Sequence, residues 1–124
     1  MSAPCDKVFV YGTLRRGGSN HFRMEGAEFM TAATVRARLY RIDWYPGLVL
    51  DDAGDDVIGE IYQVSERLMK QLDAFEGPEY HRVMVEVKCA GDHRSPVAAW
   101  IWEWMEPVDE TRRITGGDWL SSQK

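Results

Sequence analysis

The sequence predicts an α+β fold, a small curved mixed sheet or β-barrel with flanking helices. Three observations predict it. Most segments are β-branched and aromatic with a period of two, which suits strands. One segment, beginning at Ser65, has the period and the cap of an amphipathic helix. Turn signals recur at short intervals, at Tyr45-Pro46-Gly47, around Gly54 and at Gly77-Pro78. Many strands and few helices, with no regular alternation between them, point to α+β rather than α/β.

Taken in order, Lys7 to Tyr11 forms a buried strand that Gly12 ends. Thr13 to Ser19 is a glycine-rich loop, and Asn20 caps a short helical turn through Met24. Small and β-branched residues from Ala27 to Asp43 predict a long or bent strand pair. Leu48 to Leu50 is a short strand, and Asp51 to Asp56 a solvated acidic turn. Val57 to Val64 alternates, with Ile58, Glu60 and Tyr62 on one face and Val57, Gly59 and Ile61 on the other. A helix follows from the Ser65 cap to about Glu76, with Leu68, Leu72 and Phe75 on one face. Tyr80 to Lys88 and Val97 to Met105 form a hairpin across a turn from Ala90 to Ser95. Trp100, Trp102 and Trp104 share one face of its second strand. The tail, after Gly116-Gly117-Asp118-Trp119, is expected to fray.

The 124 residues suit a single domain, 1–124, large enough to fold without a disulfide or metal. A formal net charge of −5 disfavours nucleic acid, whose phosphates need a basic face, and disfavours an anionic membrane surface. No apolar run approaches the ~18 residues of a spanning helix. The start, Met-Ser-Ala-Pro-Cys-Asp-Lys, lacks the apolar stretch of a signal peptide, so a cytoplasmic protein is expected. Cys5 and Cys89 have no partner at metal-ligand spacing and are expected to be inert thiols. His21, His81 and His93 are scattered over loop, strand and turn, which predicts no metal site.

The loop from Gly12 to Ser19 superficially resembles a nucleotide-binding P-loop, but Gly18 stands where the phosphate-binding lysine belongs. A glycine at a strand end still lets successive backbone N–H groups turn toward a carboxylate or an oxyanion. A plain turn is the competing reading. Glu76 is the sharper feature. It ends a helix, where the dipole is negative, and Phe75, Gly77 and Pro78 around it imply partial burial. Both effects raise a carboxyl pKa toward the value a general base needs near neutral pH. Arg15 and Arg16 could attract an anionic substrate, but exposed loop charge is the expectation. Tyr45 and Pro46 form a rigid turn that could also line a pocket beside the loop.

Together these segments resemble one family. Val8-Phe9-Val10-Tyr11-Gly12-Thr13-Leu14-Arg15-Arg16-Gly17, with Ser19-Asn20-His21, is similar to the signature of the γ-glutamylcyclotransferase-like proteins. Tyr45 to Leu48, Gly59 to Tyr62, Leu72 to Gly77, Tyr80-His81-Arg82 and Gly117-Asp118-Trp119 follow in the family's order. The resemblance implies a small β-barrel with flanking helices and release of 5-oxoproline from a γ-glutamyl amine or γ-glutamyl amino acid. It implies Glu76 as the catalytic residue and Tyr11, Gly12, Thr13 and Leu14 as the substrate-binding loop, with no metal and no organic cofactor. The expected partner is a small-molecule γ-glutamyl substrate, and the expected assembly is a monomer or homodimer. The pattern departs at Trp100, Trp102 and Trp104, where relatives often carry tyrosines; these tryptophans are expected in the core or at an oligomer contact. The alternative to an enzyme is a non-catalytic binding module for an acidic or γ-glutamyl metabolite.

Overall fold

In the computed structural model, residues 6–90 and 96–123 are described. The Ala90 to Ser95 turn, Cys5 and His93 therefore fall wholly or largely outside the described residues. Six strands form one sheet: β1 (Lys7–Val10), β2 (Glu28–Arg41), β3 (Pro46–Leu50), β4 (Asp55–Gln63), β5 (Tyr80–Cys89) and β6 (Val97–Trp104). One α-helix, α1 (Glu66–Glu76), joins β4 to β5, and short 3-10 turns cover His21–Met24, Glu110–Arg112 and Ser121–Gln123.

Strand order is β3-β2-β4-β1-β6-β5, and β2 also pairs with β5. That last pairing, at Ala33↔Cys89 and Thr34↔Lys88, closes five strands into a barrel. The edge of β2 opposite β4 is shared. Residues 33–34 pair with β5, and residues 37–41 pair with β3. The ladders are antiparallel except β1 with β6, which run parallel at Val8↔Trp100. Residues 27–43 are thus not a strand pair. They hold one 14-residue strand, bent where its register to β4 slips between Phe29 and Thr31. A bulge of this kind bends a strand without ending it, which a long curved barrel strand needs.

Period-two alternation builds two cores on the two faces of this sheet. Phe9, Val35, Leu39, Val57, Ile61, Val87 and Ile101 pack together inside the barrel. Val8, Val10, Tyr62 and Trp102 face outward and pack under Leu68, Met69 and Leu72 of α1. The two faces expected for β4 are both realised, one in each core. β1 is buried on both sides, with Val8, Phe9 and Val10 at most 2% exposed. Helix α1 starts as expected, with the Ser65 hydroxyl accepting from the Leu68 N–H at 3.1 Å. It stops at Gly77, whose φ of +84° only glycine adopts without strain. The β5–β6 hairpin pairs Tyr80 with Trp104 through Val87 with Val97.

Three local expectations are corrected. Pro46 and Gly47 continue into β3, paired with Arg41 and Tyr40, instead of forming only a turn. The Asn20 side chain makes no cap and instead accepts from Arg23 Nε at 3.0 Å. The described tail, through Gln123, does not fray directly after Trp119. That residue is 2% exposed in the barrel core. The Gly117 carbonyl accepts from Ile58 N–H, the Leu39 carbonyl accepts from Ile114 N–H, and Ser121–Gln123 forms a 3-10 turn. Truncating a buried indole removes its transfer energy and leaves a cavity. Trp119→Ala should therefore lose about 3–5 kcal/mol of unfolding free energy in a denaturant titration.

Candidate active site

A cavity of about 340 Å³ opens between the loop after β1, the segment before β3 and the end of α1. Its size is near the small end of the ~300–1,000 Å³ range of ligand pockets. It is lined by Tyr11, Gly12, Thr13 and Leu14 from the loop, by Tyr45 and Pro46, and by Glu76. All seven residues singled out in the sequence thus meet in one cavity. Trp44, Phe75, Glu79, Tyr80 and Trp102 also line it and were not singled out as pocket residues.

The loop geometry follows from tight backbone turns. Arg15 N–H donates to the Gly12 carbonyl and Asn20 N–H to the Thr13 carbonyl, at 3.1 and 2.9 Å. Among the described residues, the N–H groups of Gly12, Thr13 and Leu14 donate to no protein acceptor. Buried amides are almost always paired, so three free ones beside a cavity are donors available to a ligand. Gly12 is needed for a second reason. A Cβ there would stand 2.6 Å from Pro46 Cγ, so only glycine lets the loop and Pro46 close on each other.

Beneath the loop lies an ion network. Arg15, expected to be exposed, is 8% exposed and pairs with Glu60 at 3.4 Å and Asp118 at 2.9 Å. Glu60 also accepts from Arg16 N–H and from the Tyr62 hydroxyl. His21 Nδ1–H donates to the Leu14 carbonyl at 2.8 Å. Arg16 does project outward as expected, its guanidinium lying 3.7 Å from the centre of the Phe29 ring. The loop is therefore held from behind by side chains while its free amides remain unengaged. Glu60 stands in an apolar strand and so wants a partner, but nothing local points to Arg15, and their pairing spans 45 residues.

Glu76 closes α1 and makes no hydrogen bond or ion pair among the described residues. Burial pushes its carboxyl up to about 8, and the nearby Asp73 carboxylate adds to the shift. It remains partly accessible, since it lines the cavity. Asp73 is itself engaged, accepting from Arg82 Nε at 2.8 Å and from the Trp102 indole at 2.9 Å. Two of the late-strand tryptophans are core residues, and Trp100 is partly buried against the cluster beneath α1. Trp102 packs under α1 and Trp104 is buried beside Tyr45 and Tyr80. Tyr11 donates to the Trp102 carbonyl at 2.8 Å. Its phenol is raised well above the ordinary value, first by burial and then by Tyr80 and Glu76. Among the described residues no group of His, Cys, Asp and Glu is arranged to hold a metal ion. Among them, no helix is long and apolar enough to cross a membrane.

Comparison with known proteins matches this architecture. A family model described as gamma-glutamyl cyclotransferase, AIG2-like, matches residues 8–121. The gamma-glutamylcyclotransferase family protein YtfP of Escherichia coli K12 is 31% identical, covering 95% of this chain and 99% of its own. The gamma-glutamylaminecyclotransferase of Rattus norvegicus is 37% identical over 65% of this chain and 62% of its own. The crystal structure of an AIG2-like protein from Mus musculus superposes with a TM-score of 0.81 at 26% identity, covering 92% of this chain and 87% of that one. The chain belongs to the AIG2-like gamma-glutamyl cyclotransferase family, a family of cyclotransferase-type enzymes.

The raised carboxyl has a signed consequence for stability. Unfolded, Glu76 loses its proton near 4.5; folded, it keeps it to about 8. Between those values the folded state binds more protons, so its contribution to stability falls as pH rises and is flat outside the window. Glu76→Gln removes the titration. Relative to wild type, the variant should gain about 1–3 kcal/mol between pH 5 and pH 8.5, less than the full ~1.4 kcal/mol per pKa unit because the carboxyl keeps some access to water. Parallel thermal melts across that range check it, and a constant difference between the two proteins would refute it.

Proposed function

We propose that the protein releases 5-oxoproline from a small γ-glutamyl amine or γ-glutamyl amino acid, with Glu76 as general base. The observation that carries this reading is a carboxyl pushed up to about 8 in the same cavity as three loop amides, none of the four groups having a partner among the described residues. A site built only to bind an anion would gain nothing from Glu76, and the binding-module alternative leaves that residue unexplained.

In this reading the substrate's α-ammonium sits against Glu76. Its positive charge favours the carboxylate, which offsets the effect of burial on binding. Glu76 takes one proton, and the freed amine attacks the γ-carbonyl carbon within the same molecule. A carbon–nitrogen bond forms, closing a five-membered ring, and the original amide bond breaks. Glu76 gives its proton to the departing nitrogen, and the surplus proton of the ring nitrogen follows through the same carboxyl, so the amine leaves as its ammonium and Glu76 returns to the carboxylate. Because nucleophile and electrophile are tethered, orientation can contribute ~7–11 kcal/mol of the barrier reduction. The N–H groups of Gly12, Thr13 and Leu14 take substrate oxygens, and Tyr11, Tyr45 and Pro46 enclose the chain between them.

The test is 5-oxoproline release from a panel of γ-glutamyl conjugates. Glu76→Gln keeps the shape and loses the base, so kcat should fall about 10²–10⁴-fold. Undiminished release by the variant would sink the assignment of the base. On the acid side, wild-type kcat/KM should rise with pH and level off above about 8, the value at which free Glu76 ionises. Gly12→Ala should raise KM or abolish turnover by forcing Pro46 away from the loop.

A further inference from the structure

The loop amides at the cavity are aimed from behind. The described peptide bonds are trans and planar, so each N–H points opposite to the C=O of its own peptide. The Gly12 carbonyl, which shares a peptide with the Thr13 N–H, accepts from Arg15 N–H at 3.1 Å. The Thr13 carbonyl, which shares a peptide with the Leu14 N–H, accepts from Asn20 N–H at 2.9 Å. Each anchored carbonyl turns its own N–H the other way. Each also polarises that N–H, since hydrogen bonds in a chain strengthen one another. The direction of the Thr13 donor is therefore set by the backbone of Arg15.

What sets Arg15 is its own side chain. The guanidinium bridges two carboxylates, Nε donating to Glu60 at 3.4 Å and Nη1 to Asp118 at 2.9 Å. Glu60 lies on β4 and also accepts from Arg16 N–H at 3.0 Å, so it grips the loop at two successive residues. Asp118 belongs to the C-terminal segment, and its carboxylate accepts as well from Ser121 N–H, at 3.2 Å, where the last 3-10 turn begins. Its neighbours are fixed, Gly117 by the bond from Ile58 N–H and Trp119 by burial in the barrel. Leu120 lies behind Gly17, where a Cβ would meet it at 3.8 Å. A planar fork that spans acids on two separate segments holds one position, which a single ammonium does not reproduce. Arg15, Glu60 and Asp118 all stand behind the loop, outside the cavity lining. Resting on the cyclotransferase reading, we infer that Arg15, pinned between Glu60 and Asp118, is the positioning residue that aims the Thr13 amide at the substrate, and that Asp118 makes turnover depend on the C-terminal turn.

Asp118→Ala, Asp118→Asn and Arg15→Lys separate this role from general stability. The activity readout is 5-oxoproline release from γ-glutamyl-alanine and γ-glutamyl-pentylamine. Asp118→Ala and Arg15→Lys should each lower kcat/KM about 10- to 100-fold, the cost of one donor turned off its target. Asp118→Asn keeps an oxygen acceptor for Arg15 and should stay within about threefold of wild type. Arg113→Ala cuts a different tie of the same segment, to Asp55 at 3.3 Å. It should lower the melting temperature but leave kcat/KM within about twofold. Backbone relaxation measured by NMR reads the loop directly. The order parameter of the Thr13 amide should fall from about 0.85 to below about 0.6 in Arg15→Lys and Asp118→Ala, and hold in Arg113→Ala. Arg15→Lys, which keeps a positive charge beside Glu60, serves alone if Asp118→Ala does not fold. Folded variants with kcat/KM within about twofold of wild type, or with the Thr13 amide as rigid as before, would overturn the inference and leave the reaction intact. If wild type releases 5-oxoproline from neither conjugate, the cyclotransferase reading fails, and the Thr13 order parameter alone decides the positioning.

Discussion

Everything at the site hangs from β1, four residues that the fold cannot release. Val8 and Val10 pack under α1 while Phe9 fills the barrel, so the strand is buried on both faces. It is also flanked on both edges, by β4 antiparallel and by β6 parallel. A strand so enclosed has no freedom to slide, because a slip of one residue would exchange its two faces. The loop that follows it therefore starts from a fixed point. The same enclosure sets the position of α1, since the core beneath the helix is largely the outward face of β1 with Tyr62 and Trp102. Loop and helix end, which line the two sides of the cavity, are referenced to one strand.

With that frame fixed, the fold can tolerate an unfavourable carboxyl. Glu76 sits at a helix C-terminus, near another acid and largely buried, each of which disfavours its charge. Asp73, one turn earlier, has a guanidinium and an indole N–H to satisfy it. Those bonds tie α1 to β5 and β6, so the helix end is held by the acid that has partners. The acid without partners is left to the cavity. Such division between a structural and an unsatisfied group is a common mark of functional sites, where local rules are broken and the surroundings compensate.

What could be read from the sequence was local. The Ser65 cap, the Gly77 stop and the alternation in β4 each depend on a handful of neighbouring residues, and each is realised. Glu76 was legible because its misplacement on the helix is itself a local fact. Closure of the barrel was not legible in this way. Ala33 and Thr34 meet Cys89 and Lys88 across more than fifty residues of chain, and nothing about those side chains announces the pairing. For the same reason 27–43 looked like two strands, since a bulge at Met30 breaks the alternation without a turn residue to mark it. The burial of Trp119 near the terminus was not legible because it comes from strands far away in the chain. Arg15 looked exposed because glycines follow it and its partners are Glu60 and Asp118.

The two partly hidden glutamates of this molecule show why the residue type alone does not assign a role. Glu60 is 8% exposed, yet it meets Arg15, a backbone N–H and a tyrosine hydroxyl, so nearly every lone pair it offers is used. An anion so satisfied is stable and chemically quiet, and its bonds fix the loop. Among the described residues Glu76 meets no donor, and burial raises its affinity for a proton, its carboxyl pushed up to about 8. Both residues occur in stretches that carry the family resemblance, and both are flanked by apolar side chains. Their difference lies in which donors the fold brings to each, and those donors come from segments distant in sequence. A glutamate in this barrel is tied into the structure where the chain supplies counter-charges and holds a proton more tightly where it withholds them.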